Sequence, residues 1–376
     1  MKKTLLFLLA GSFFGQSCSS PPETTSSGHP IISLDEAHYL DDPSDLLEKG
    51  TFISLKGKND QGFFRIINKL MITGDTLIVY DNMLAKMVVF DGEGNLLYEI
   101  ARQGKGPEEY VFINDVFYWE GVNVVDPSTY QIMHYRLDGT WLSTQKFDPY
   151  RVGTSIERNE GAYIFYRNSM NYLRPARGYN FASATIDSLH ILDSASFISP
   201  ELASHQYLTA NPFAKFNGYI YALPPFEDVI FKMDPKGKID TAFVIQVPEK
   251  DQLAKDPIWL ETNVDNFEFK KNIYNNIEAI KNFRTLMILP DKVGFTFTKE
   301  KETYFCLYDR KKGTTRFFKT SLLTDDPAIS LHLQAVQGED LFFQVYSREA
   351  GKIAEYTGLD LGEDVNAVLL KTRWQK

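Results

Sequence analysis

Beyond residue 60, short runs of Val, Ile, Leu, Phe and Tyr recur along the chain, parted by clusters of Asp, Asn, Gly and Pro. The clearest unit reads Leu77-Ile78-Val79-Tyr80-Asp81, then Met87-Val88-Val89-Phe90 and the turn Asp91-Gly92-Glu93-Gly94. It closes with Leu96-Leu97-Tyr98-Glu99-Ile100 and the link Gly104-Lys105-Gly106-Pro107. Runs this short, rich in β-branched and aromatic residues and bounded by turn formers, predict strands. A part-copy returns at Val122 to Phe147, and fainter copies follow. A strand–turn–strand unit repeating every 40 to 60 residues or so is the pattern of propeller blades, which bury their faces only by stacking on neighbours. Six units can be bounded: Phe63–Ile100, Tyr110–Phe147, Tyr150–Asp193, Asn211–Ile245, Ile280–Lys319 and Ile329–Lys371. The expected fold is all-β, a six-bladed β-propeller of four-stranded antiparallel blades spanning residues 31–376. Thr51 to Leu55 is strand-like and left over before the first blade. A ring needs its ends joined, so this piece is predicted to pair with the last blade.

The recurring Asp-to-Gly turns have a local cause. Asp accepts hydrogen bonds from the backbone just after it, and Gly takes the positive φ that ends a type I turn with a bulge. Asp91, Asp138, Asp234 and Asp309 are therefore read as hairpin residues and not as catalytic acids. Two segments interrupt the repeat. Residues 248–283 are polar and set Phe267, Lys271, Tyr274 and Ile277 at helical spacing, which predicts a short helical insert between blades four and five. The loop Arg167 to Tyr179 carries Arg174 and Arg177, both candidate ligand-binding residues.

The N-terminus follows a different pattern. Lys2-Lys3 precedes an apolar run, Thr4 to Phe14, too short to span a bilayer, and small or polar residues then lead to Cys18. Residues 1–17 read as a secretory signal peptide. Cys18 stands where the lipobox of bacterial lipoproteins, which this stretch resembles, places its acylated cysteine. Residues 18–30, rich in Ser, Thr and Pro, then form a lipid-anchored flexible tether. Removing residues 1–17 deletes Lys2 and Lys3 and no acid, which moves the formal charge from −9 to −11. So acidic a chain argues against nucleic acid as a partner, since affinity for a phosphate backbone needs clustered Lys and Arg. With Cys18 lipidated, Cys306 has no partner for a disulfide and reads as a small buried side chain. Aromatic residues make up 14% of the chain, which suits packing between sheets.

Residues Leu77 to Asn82, Lys86 to Asp91, Gly94 to Leu97 and Gly104-Lys105-Gly106-Pro107-Glu108-Glu109-Tyr110 together resemble an NHL-type repeat. The whole order is similar to the 6-bladed β-propeller lipoproteins of Bacteroidetes, whose first blade ends in Gly-Gln-Gly-Pro-Gly-Glu-Tyr. Here Lys105 replaces the Gln and Glu108 replaces a Gly. The resemblance covers Ile31 to Lys371 and implies the fold and a cell-envelope location, in the periplasm or at the surface, most simply on the outer membrane. It carries over no catalytic assignment.

Candidate chemistry is sparse. The glycine-rich link lacks the Lys-Ser/Thr pair of a phosphate loop, and no helix signal follows it. Arg102, Lys105 and Glu108 within it are candidate ligand contacts at the axial opening of the ring. Asp81 and Asp126 are read as ending equivalent innermost strands, and as oxygen donors they are candidate ligands for an axial Ca²⁺. No other cofactor is implied. The six histidines show no metal-ligand spacing, and Gly-x-Ser-x-Gly does not occur. Two functions stay open. One is a non-enzymatic envelope module that binds a glycan, peptide or protein partner. The other is a metal-assisted hydrolase or lyase with its site at the propeller axis.

Overall fold

The computed structural model describes residues 25–375, apart from single residues 45, 59, 226, 325 and 327 and segments 148–154, 168–178, 198–210, 252–278 and 348–350. Six antiparallel sheets follow one another around a ring. The N-terminal segment supplies β1 (Ile31–Ser33), β2 (His38–Tyr39) and β3 (Thr51–Lys56). Blade one contains β4 (Lys69–Thr73), β5 (Thr76–Asp81), β6 (Lys86–Phe90) and β7 (Leu96–Ile100). Blade two contains β8 (Asp115–Tyr118), β9 (Val122–Asp126), β10 (Gln131–Tyr135) and β11 (Trp141–Lys146). Blade three contains β12 (Ser155–Arg158), β13 (Ala162–Tyr166), β14 (Tyr179–Thr185) and β15 (Ile191–Phe197). Blade four contains β16 (Phe213–Phe216), β17 (Tyr219–Ala222), β18 (Val229–Met233) and β19 (Ile239–Gln246). Blade five contains β20 (Lys281–Ile288), β21 (Lys292–Lys299), β22 (Glu302–Asp309) and β23 (Thr314–Lys319). Blade six contains β24 (Ile329–Gln337), β25 (Asp340–Ser347) and β26 (Val365–Arg373), with the short helix α1 (Lys352–Thr357) before β26.

The ring closes as the sequence predicts. β3 pairs antiparallel with β26, Ile53 opposite Leu369 and Phe52 opposite Leu370, and so completes blade six from the other end of the chain. Blades four and five depart from four strands. β1 adds in parallel to β19, with Ile31 opposite Val244, and β2 adds in parallel to β23, with Tyr39 opposite Phe317. The N-terminal segment thus runs along the outer rims of blades four, five and six in turn. It covers strand edges that would otherwise offer unpaired N–H and C=O groups. The interruption between blades four and five is present, since β19 ends at Gln246 and β20 starts at Lys281. Its helical positions Phe267, Lys271, Tyr274 and Ile277 lie outside the described residues.

Each blade meets the next through an apolar layer. Leu70, Val79 and Phe90 of blade one pack with Leu55, Phe342 and Leu369 of blade six. Tyr80 and Met87 of blade one pack with Val124 and Tyr135 of blade two. Phe295 and Cys306 of blade five pack with Ile230 and Phe243 of blade four. Cys306 is fully buried, and burial pushes its thiol pKa well above the ordinary value. The abundant aromatic residues serve these layers, often edge-to-face, as Phe117 with Tyr163 and Phe283 with Phe295.

The Asp turns behave as read. Asp91 Oδ1 accepts the N–H groups of Glu93 and Asn95, and Asp234 Oδ1 those of Lys236 and Lys238. Gly94 has φ 87°, and a Cβ there would lie 2.2 Å from the Ser54 carbonyl oxygen of β3. Its bare backbone lets the outer hairpin of blade one lie against the closing strand, where Lys56 N–H donates to the Gly94 carbonyl. Blade three has no glycine at this turn, and Leu189 itself adopts φ 52°.

Candidate functional site

The first strand of every blade, β4, β8, β12, β16, β20 and β24, lies innermost. These strands all run the same way, so the links between blades arrive at one face, here called the entry face, and the inner strands finish at the other. A cavity of about 310 Å³ opens on the axis, lined by residues of all six inner strands.

Its walls are divided. The charged side chains of the lining, Lys69, Glu157 and Lys215, all come from blades one to four, set among Leu70, Met71, Ile72 and Phe213. Lys69 Nζ donates to Asp115 Oδ1 at 3.1 Å and to the Val116 carbonyl at 2.6 Å. Asp115 Oδ2 in turn accepts the Ile156 N–H at 2.8 Å, so one buried pair ties blades one, two and three together. Burial pushes the Asp115 carboxyl pKa up, and the ammonium of Lys69 and the N–H groups on the carboxylate oppose that rise. Lys215 of blade four donates to Glu157 Oε1 of blade three at 2.7 Å and to the Tyr118 carbonyl at 3.1 Å. Its ammonium also lies 5.9 Å from the Trp119 ring, over which Arg158 stacks at 5.0 Å. Across blades five and six the wall is largely apolar, with Met287, Ile288, Ala335 and Val336. Such a channel carries its charged side chains, paired, on one side only, with hydrocarbon on both.

The residues singled out from sequence lie elsewhere. Asp81 and Asp126 do not end innermost strands; they close β5 and β9, the second strands of their blades. Their carboxylates are taken by the chain itself. Asp81 accepts the N–H groups of Arg65, Met83 and Leu84, and Asp126 accepts those of Val111, Ser128 and Thr129. Both side chains tie an incoming link to a turn on the entry face. Among the described residues no three His, Cys, Asp or Glu side chains converge as a metal site would require.

Arg102 and Glu108 form an exposed ion pair at 3.7 Å on the link between blades one and two, with Lys105 exposed beside them. None of the three lines the axial cavity. The link is folded around Glu109, whose Oε2 accepts the Gly106 N–H at 2.8 Å. A Cβ on Gly104 would meet that same oxygen at 1.9 Å. Tyr110 anchors the far end; its hydroxyl donates to the Ala85 carbonyl and accepts the Arg102 N–H, and burial raises its pKa to about 12. Large apolar side chains on this face, Phe63, Ile66, Met83 and Phe112, are exposed. Arg174, Arg177 and Cys18 lie outside the described residues.

Lys69, Asp115, Glu157 and Lys215 were not singled out from sequence. Their one local signal is an ionisable residue set within or at the end of an apolar strand run. The partners are 46 and 58 residues apart, a separation bridged by the stacking of one blade on the next.

Channel and blades define a six-bladed β-propeller with a divided axial pocket. The chain belongs to the DUF4934 family, described as a domain of unknown function, whose model matches residues 32–369. A Bacteroides fragilis protein named for its presumed export is similar in structure, with TM-score 0.72 and 18% identity over 92% of this chain and 100% of that one. A DUF4221 family member from Bacteroides vulgatus follows at TM-score 0.52 and 12% identity, over 88% of this chain and 97% of that one. At these identities the likeness is one of fold. Among curated proteins none matches. No helix of the described residues is long and apolar enough to cross a membrane.

Proposed function

We propose that this protein is an exported, lipid-anchored propeller of the cell envelope that acts as a binding or scaffold module. Its axial channel receives part of a glycan, peptide or protein partner. The carrying observation is the state of the channel's charges. Lys69 with Asp115, and Lys215 with Glu157, are each satisfied by the other and by backbone carbonyls or N–H groups. Of these groups Lys215, at 41% side-chain exposure, faces the channel most openly, and held this way it presents a fixed charge for recognition, whereas acid–base catalysis needs a group poised to exchange a proton at the substrate. A peptide with both charged and apolar side chains fits the divided wall, and the exposed Phe63, Ile66, Met83 and Phe112 offer a protein partner further area on the entry face. The signal peptide, Cys18 and tether read from the sequence support the location.

Thermal unfolding of the chain from residue 25 onward, scanned against glycan fragments and short peptides, tests the reading. A ligand at 100 times its dissociation constant adds about 2.7 kcal/mol and raises the midpoint. Lys215→Met should abolish that rise. If no ligand moves the midpoint, or Lys215→Met leaves the rise intact, the axial reading fails. For the anchor, Cys18→Ala should shift the protein from the membrane to the soluble fraction.

A further inference from the structure

We propose that the cleft between blades five and six is a second binding site, distinct from the axial channel, for a small ligand bearing a carboxylate or phosphate group. The cleft, of about 380 Å³, lies where β20 and β24 begin, and Thr285 is the wall it shares with the axial cavity.

Charge is the first reason. On a chain of formal charge −9, this cleft is lined by the cations Arg284 and Lys301 against one carboxylate, Glu302, with the His332 imidazole beside them. A positive pocket on an acidic protein focuses anions at that place and leaves the rest of the surface repulsive to them. Arg284 is oriented by its neighbour: its Nε donates to Asn282 Oδ1 at 2.8 Å. The Asn282 amide in turn donates to Thr298 Oγ1 at 3.4 Å. A guanidinium and an ammonium in one cleft match the several lone pairs of an oxyanion, while the Thr285, Thr296 and Thr320 hydroxyls are spent on backbone carbonyls.

The backbone is the second reason. β20 is bulged twice against β21, and within it Asn282 takes φ 60° and Thr285 φ 48°. β24 is bulged between Leu333 and Ala335. The innermost pairs of the other four blades run without any shift of register. A β-branched residue at positive φ is a conformational outlier, held only where the surrounding structure imposes it. Bulges re-aim side chains beside binding sites, and these lie in the two strands that form the cleft.

Isothermal titration calorimetry of the purified protein with inorganic phosphate, and separately with citrate, at ionic strength fixed by NaCl, tests the proposal. At least one anion should bind saturably. Lys301→Ala and His332→Gln should each weaken binding by about five-fold or more, with urea midpoints like the wild type. Lys236→Ala, at an exposed turn of blade four, should leave binding unchanged. Saturation by phosphate alone or by citrate alone identifies the anionic group. Absence of saturable binding, or binding indifferent to Lys301→Ala and His332→Gln, overturns the proposal. The axial reading is untouched by either result, since its own test runs through Lys215.

Discussion

Lys69 and Asp115 are nearly inaccessible, at 3% and 6% side-chain exposure, and each is the other's main compensation for lost hydration. Removing one member leaves an unpaired buried charge or a stranded acceptor. Lys69→Met or Asp115→Leu should therefore cost about 3–5 kcal/mol, measured by urea unfolding. The double variant should recover much of that loss, because two apolar side chains leave no charge uncompensated. His332 makes a separate prediction. Burial, with Arg284 nearby, lowers its pKa below the ordinary 6.5. The unfolded chain therefore takes up the proton first as the pH falls through 6.5, and stability declines from there down to the folded pKa. In phosphate-free buffer, His332→Gln should show a smaller loss of midpoint than the wild type between about pH 7.5 and about pH 5. An equal loss in both proteins would show that His332 contributes nothing to the acid limb.

Strands were legible because a strand's alternation and its Asp-Gly turn are local properties, and four of the six blades carry such a turn. The blade limits read from the pattern fall within a few residues of the observed sheets for the same reason. β1 and β2 escaped notice: three and two residues long, they exist as strands only because the outer edges of blades four and five lie beside them. β3 was recognised from the need to close the ring, and it makes the strongest prediction at this scale. Leu55 is fully buried between blades six and one. Leu55→Ala should cost about 2–5 kcal/mol, whereas Leu97→Ala, on the exposed outer strand of blade one, should stay within about 0.5 kcal/mol. Equal urea midpoints for the two variants would mean that β3 does not hold the ring shut.

At the scale of the whole molecule, function depends on which strand of each blade faces the axis. Asp81 and Lys69 belong to the same blade and are twelve positions apart, yet one closes a second strand and the other lines the channel. The order of strands from axis to rim makes that choice, and no feature of either residue's neighbours reveals it. The same order places Arg102, Lys105 and Glu108 on an exposed link and away from the channel wall. It also makes the channel asymmetric, with its charged side chains all on blades one to four and none along blades five and six, although all six blades share one pattern.

Hydrophobic alternation, turn chemistry and repetition are properties of neighbouring residues, and from them the sequence alone determined that this is a six-bladed propeller closed by its own N-terminal segment. The acidic balance and the structural role of the turn aspartates are equally local and were legible for that reason. The axial ion pairs, the bulged strands beside the cleft and the parallel rim strands were decided by tertiary structure. Each joins groups far apart in sequence, whose meeting is set by ring closure and by the stacking of one blade on the next.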